Sequence, residues 1–71
     1  MAEFKFEITK PLGVISESAK GWFKEVNMVS WNDREPKLDI REWDPDHEKM
    51  AKGLTFSNDE IIKLKEILNN L

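Results

Sequence analysis

The last fifteen residues, Ser57 to Leu71, hold the only helical pattern in this chain, so any sheet built by the rest has a single helix to cover it. Ser57 and Glu60 have the S-x-x-E spacing of a capping box, and Phe56 and Ile61 occupy the two positions of a hydrophobic staple. At ~100° per residue, Ile61, Leu64, Ile67, Leu68 and Leu71 fall within a ~120° arc. Ile62 lies about 100° off that stripe.

Everything upstream reads as strands. Phe4, Phe6 and Ile8 alternate with Lys5 and Glu7, the period of a half-buried strand. Pro11 and Gly13 interrupt that run, and a second extended piece is expected through Val14 and Ile15. Ser18-Ala19-Lys20-Gly21 has the composition of a hairpin connection, with glycine where a positive φ is needed. The strand from Trp22 to Trp31 places Trp22, Lys24, Val26, Met28 and Ser30 on one side and Phe23, Glu25, Asn27, Val29 and Trp31 on the other. After a loop over Asn32 to Pro36, the KLDIREW segment alternates Leu38 and Ile40 against Asp39, Arg41 and Trp43. A polar loop over Asp44 to Glu48 leads to a fourth strand, Met50 to Phe56. Lys52 has the parity of Leu54 and Phe56, and a bulge at Gly53 is expected to turn it to the other side.

Four antiparallel strands and one helix make a two-layer α+β domain over residues 1–71, with one sheet face left bare. That bare face is expected to hold Arg41 and Trp43, Trp31 or Trp22 from the neighbouring strand, and Lys52. Lys24, Lys37 and Lys49 add cations, although each taken singly is by default a solvated side chain. Aromatics interleaved with Lys and Arg on an open sheet match the platforms that hold single-stranded nucleic acid, where bases stack on rings and cations meet phosphates. The competing reading for each tryptophan is core or dimer interface, and for Arg41 beside Asp39 a solvated charge pair. The number of large aromatics, three Trp and four Phe, exceeds what one helix can bury.

Composition narrows the partners. With eleven Lys and Arg against fourteen Asp and Glu the net charge is −3, so a polyanion site has to be local. Burial at ~25 cal/mol/Å² supplies on the order of 110 kcal/mol against ~107 kcal/mol of ordering entropy for a chain this small. With no cysteine to add disulfides, oligomerisation is the expectation. No apolar run reaches the ~18 residues of a membrane span. MAEFKFEITK lacks the apolar stretch of a signal peptide, and a cytoplasmic location is expected.

The KLDIREW segment, the polar Asp-Pro turn and KMAKGLTFSNDEIIKLKEIL together resemble the carboxy-terminal domain of the transcriptional positive cofactor four family. SESAKGWFKEVNMVSWND and WDPDHEKMAKG are similar to its small bacterial branch, the YdbC-type proteins. The resemblance runs from Phe4 to Leu68. It implies a curved four-stranded sheet with a carboxy-terminal helix, a homodimer, and sequence-tolerant binding of single-stranded DNA. By the same resemblance Arg41 falls on a phosphate-binding arginine, Trp43 on a base-stacking tryptophan and Lys52 on a strand-four lysine. Lys49 lies near another lysine of the family, and Trp31 near a stacking aromatic.

Asp44, Asp46, His47 and Glu48 bring four donors within five residues, yet they lack the spacing of a calcium loop, and a lone histidine does not suit zinc. No metal or cofactor is expected, and no phosphate-cradling glycine loop or nucleophile motif points to an enzyme. The expectation is a homodimeric single-stranded DNA-binding protein of transcription, replication or repair. RNA binding through the same face and a protein-interaction surface are the alternatives, since Trp and Arg also concentrate at interface hot spots.

Overall fold

The computed structural model describes residues 5–71. The Phe4 position of the expected first strand lies outside them. Four strands, β1 (Phe6–Glu17), β2 (Phe23–Trp31), β3 (Lys37–Trp43) and β4 (Met50–Phe56), precede one helix, α1 (Asn58–Asn69). The strands pair in sequence order, each antiparallel to the next, as an open meander.

The expected break at Pro11 to Gly13 does not occur. A single β1 of twelve residues runs through it, with register shifts between Ile8 and Lys10, Pro11 and Gly13, and Val14 and Ser16. Proline is tolerated because β1 is an edge strand, where a missing N–H leaves no ladder bond unmade, and each irregularity bends the strand. The β1–β2 turn closes through Gly21 N–H donating to Ser18 O at 3.0 Å, with Gly21 at φ +86°. Asn32 and Asp33, at φ 52° and 64°, turn the chain from β2 to β3, using the tolerance of Asn and Asp for the left-handed region. Asp44 Oδ1 accepts from the backbone N–H groups of Glu48 and Lys49 and organises the β3–β4 turn.

Ser57 caps α1 with both halves of the capping box: its Oγ accepts from Glu60 N–H at 3.3 Å, and Glu60 Oε1 accepts from Ser57 N–H at 2.8 Å. The helix packs on β3 and β4, on the face that carries Val26, Met28, Leu38, Ile40 and Phe56. Only Ile61 and Leu64 of the apolar stripe are half-buried there. Ile67, Leu68 and Leu71 stay exposed, as do Ile62 at 61% and Leu54 at 64%.

The opposite face holds the most buried side chains. Val29 and Trp43 have no accessible surface, and Glu25, Asn27 and Asp39 are buried beside them. Phe6 from β1 and His47 from the β3–β4 turn pack on the Trp43 ring, with centroids at 5.1 and 5.7 Å. The helix-free face is therefore a partly roofed one, which corrects the expectation that it is left bare.

Candidate nucleic-acid interface

Cross-strand pairing brings Asn27, Asp39 and Thr55 into one row and Glu25, Arg41 and Gly53 into the next. Asp39 has no exposed surface, and a buried carboxylate is stable only when its oxygens are bonded. Arg41 donates Nε to Oδ1 at 2.7 Å and Nη2 to Oδ2 at 2.8 Å, while Thr55 Oγ1 donates to Oδ2 at 2.9 Å. This is a two-point guanidinium–carboxylate fork, among the strongest side-chain pairs available. Arg41 Nη1 turns the other way, toward Met50 Sδ at 3.2 Å and Ala51 O at 3.4 Å. Gly53 makes room for this seating, because a Cβ there would overlap Arg41 Cβ and the carbonyl oxygen of Ile40.

So fixed, the Arg41 guanidinium lies 4.7 Å from the Trp31 ring centroid. The contact is a cation–π pair that holds the indole in place. Trp31, Arg34, Glu35, Lys37, Arg41 and Thr55 then line a cavity of about 350 Å³ on the helix-free face. An aromatic wall, a fixed guanidinium and two exposed cations next to it suit a base and its flanking phosphates.

The seven residues singled out in the sequence divide into four groups. Trp31, Lys37 and Arg41 meet at this cavity. Trp43 shares their face but is sealed under Phe6 and His47, and its Nε1 has no hydrogen-bond partner among the described residues. In this conformation it is unavailable to a base. Lys24 and Lys52 come together on the other face, beside Ile40, Glu42 and Leu54. The bulge responsible lies one step before Gly53: Trp43 pairs with Met50 and Arg41 with Gly53, so Ala51 and Lys52 oppose Glu42 alone. Lys52 therefore keeps the parity of Leu54, and the expected reorientation does not happen. Lys49 is exposed in the β3–β4 turn, its N–H bonded to Asp44 Oδ1 at 3.1 Å.

Sequence reading missed the anchoring role of Asp39 and Thr55 and the placement of Arg34. The signal for Asp39 was present in its shared parity with Arg41 and Trp43, which puts all three on one side. It also missed Glu25 and Asn27, whose parity with Val29 and Trp31 sets them on the same face. His47 Nε2 lies 2.9 Å from both oxygens of Glu25, so the turn that invited a metal reading is tied to β2 by a hydrogen-bonded contact. Among the described residues no group of three or more His, Cys, Asp or Glu is placed to hold a metal ion, and no helix is long and apolar enough to cross a membrane.

The fold and this face define a small two-layer domain whose sheet presents an aromatic and cationic surface away from its helix. The sequence profile of the family described as Transcriptional Coactivator p15 (PC4) matches residues 18–67, and the chain belongs to that family of nucleic-acid-binding domains. It is also 44% identical over 69 residues to an uncharacterised protein of Treponema pallidum (strain Nichols), covering 97% of this chain and 81% of that protein.

Proposed function

We propose that the protein binds single-stranded DNA with little dependence on sequence, as a homodimer in the cytoplasm, and acts without catalysis in transcription, replication or repair. The observation that carries this reading is the Trp31 ring braced by Arg41 beside Lys37 and Arg34, on the sheet face the helix leaves bare. A part-exposed indole beside a guanidinium is the kind of group on which an unpaired base stacks, and a duplex has no free base to offer. Arg41 spends most of its donors inside the protein, so Lys37 and Arg34 take the phosphate role at this end. Lys49, in the β3–β4 turn, is placed to meet a strand that runs on from the groove, whereas Lys24 and Lys52 lie on the opposite face, away from it.

The dimer rests on the other face. Ile62, Ile67, Leu68 and Leu54 are apolar side chains on α1 and β4 left exposed among the described residues. A second copy of the same chain is their simplest cover, because a two-fold axis matches a patch to itself.

Fluorescence anisotropy against single-stranded DNA, duplex and RNA of equal length, at several salt concentrations, tests the reading. Preference for single-stranded DNA with a salt-dependent affinity is the expected result. Equal binding of duplex overturns the stacking role, a preference for RNA overturns the choice of polymer, and binding of none of the three removes nucleic acid from this face.

A further inference from the structure

Along β2 from Trp31, about 20 Å away at ~3.4 Å per residue, the same face holds a second cavity of about 440 Å³. Its walls are Ile8, Pro11 and Val14 of β1, and its polar groups are Glu25, Asn27 and His47. A planar ring can lie against this apolar strand, where Val14 is 61% exposed, and the volume lies in the range of small-molecule pockets.

The polar groups are unusual for a surface that is to receive a polyanion. Glu25 is a carboxylate with its side chain only 8% exposed, and Asn27 is buried next to it. Asn27 Nδ2 donates to Glu25 Oε1 at 3.1 Å and fixes the carboxylate plane. His47 Nε2 spans both oxygens from the outside, on a side chain that is 40% exposed. A carboxylate repels phosphate, so a strand lying here has to meet it with a base edge. An ionised carboxylate only accepts hydrogen bonds, through two oxygens side by side. Guanine alone among the DNA bases carries two adjacent N–H donors on its Watson–Crick edge, N1–H and the 2-amino group. Rotation of the His47 ring off Glu25 uncovers both oxygens, and the two guanine donors then replace its one.

Resting on the single-strand reading above, we propose that the Glu25 cavity is a guanine subsite, which takes one extruded guanine base against Ile8, Pro11 and Val14 and reads its Watson–Crick edge with the Glu25 carboxylate. The protein thus tolerates most sequences at the Trp31 end and favours guanine at the Glu25 end.

The test uses the full chain and oligothymidylates carrying isolated guanines, inosines or adenines, each flanked by thymines. Guanine should bind tighter than the all-thymine strand by about tenfold, the scale of one good bidentate base contact. Inosine, which lacks only the 2-amino group, should lose most of that gain, and adenine, an equally large stacking purine, should show none. In Glu25→Gln the guanine-to-thymine affinity ratio should fall to about one; if that variant does not fold, the base analogues decide the matter with the parent protein. Equal affinity for guanine, inosine and thymine strands overturns the subsite and leaves single-strand binding standing. Loss of binding to every single strand overturns both.

Discussion

Replacing Asp39 with alanine takes away the one carboxylate that holds the Arg41 guanidinium under the Trp31 ring. The magnitude follows from burial. Asp39 is fully buried and the Arg41 side chain is 13% exposed, and removing one partner of such a pair costs about 3–5 kcal/mol, because the remaining charge stays in a poor solvent. Thr55 is exposed and its freed hydroxyl can turn to water, so it adds little. A chain of 71 residues at ~0.05–0.15 kcal/mol per residue holds about 4–11 kcal/mol in total. Asp39→Ala should therefore remove about a quarter or more of the stability. Urea unfolding followed by far-ultraviolet circular dichroism, at one fixed protein concentration because a dimer's stability depends on it, gives the loss directly. Asp39→Leu combined with Arg41→Met removes both charges and keeps apolar volume, and it should regain most of the loss, since replacing a whole buried pair is often near neutral. A cost below about 1 kcal/mol for Asp39→Ala, or a double variant no more stable than the single one, would refute the buried-fork argument.

Trp31→Ala should weaken single-strand binding by about 5- to 150-fold, the range of one stacking contact, and the loss should persist at high salt in anisotropy titrations. Lys37→Ala should make the slope of log affinity against log salt shallower by ~0.7. Arg41→Ala should change that slope less than Lys37→Ala while lowering the urea midpoint, a pattern opposite to that of a plain phosphate contact. Gly53→Ala forces a Cβ against Arg41 and the Ile40 carbonyl and should cost about 1–3 kcal/mol in thermal unfolding. Leu68→Glu, at an exposed position on the uncovered helix stripe, should shift sedimentation equilibrium from dimer to monomer with helix content retained; an unchanged mass would exclude that surface as the dimer contact.

The elements were legible wherever a local rule sufficed. Alternation in KLDIREW is set by the geometry of one strand, and it gave the side on which Asp39, Arg41 and Trp43 lie. The capping box at Ser57 and Glu60 is closed by four consecutive residues and needs nothing from the rest of the fold. What failed required knowledge of each residue's neighbours in the fold. Pro11 looks like a break until β1 is known to be an edge strand, and the position of the bulge depends on Glu42 of the facing strand rather than on Gly53 alone. Trp43 differs from Trp31 by a distinction no periodicity contains: both lie on the helix-free face and both meet Phe6, at 5.1 and 6.2 Å between centroids, but Trp43 also has His47 packed on it and no accessible surface left. The helix-free face divides in the same way. At one end a buried acid, Asp39, is neutralised by Arg41, itself 13% exposed, and turned into support for an aromatic ring. At the other a buried acid, Glu25, is met by His47, a turn residue whose side chain is 40% exposed. The first carboxylate is closed in by a guanidinium and the second is bordered by solvent through its partner, so two acids on neighbouring strands, alike in composition, sit in opposite kinds of surroundings.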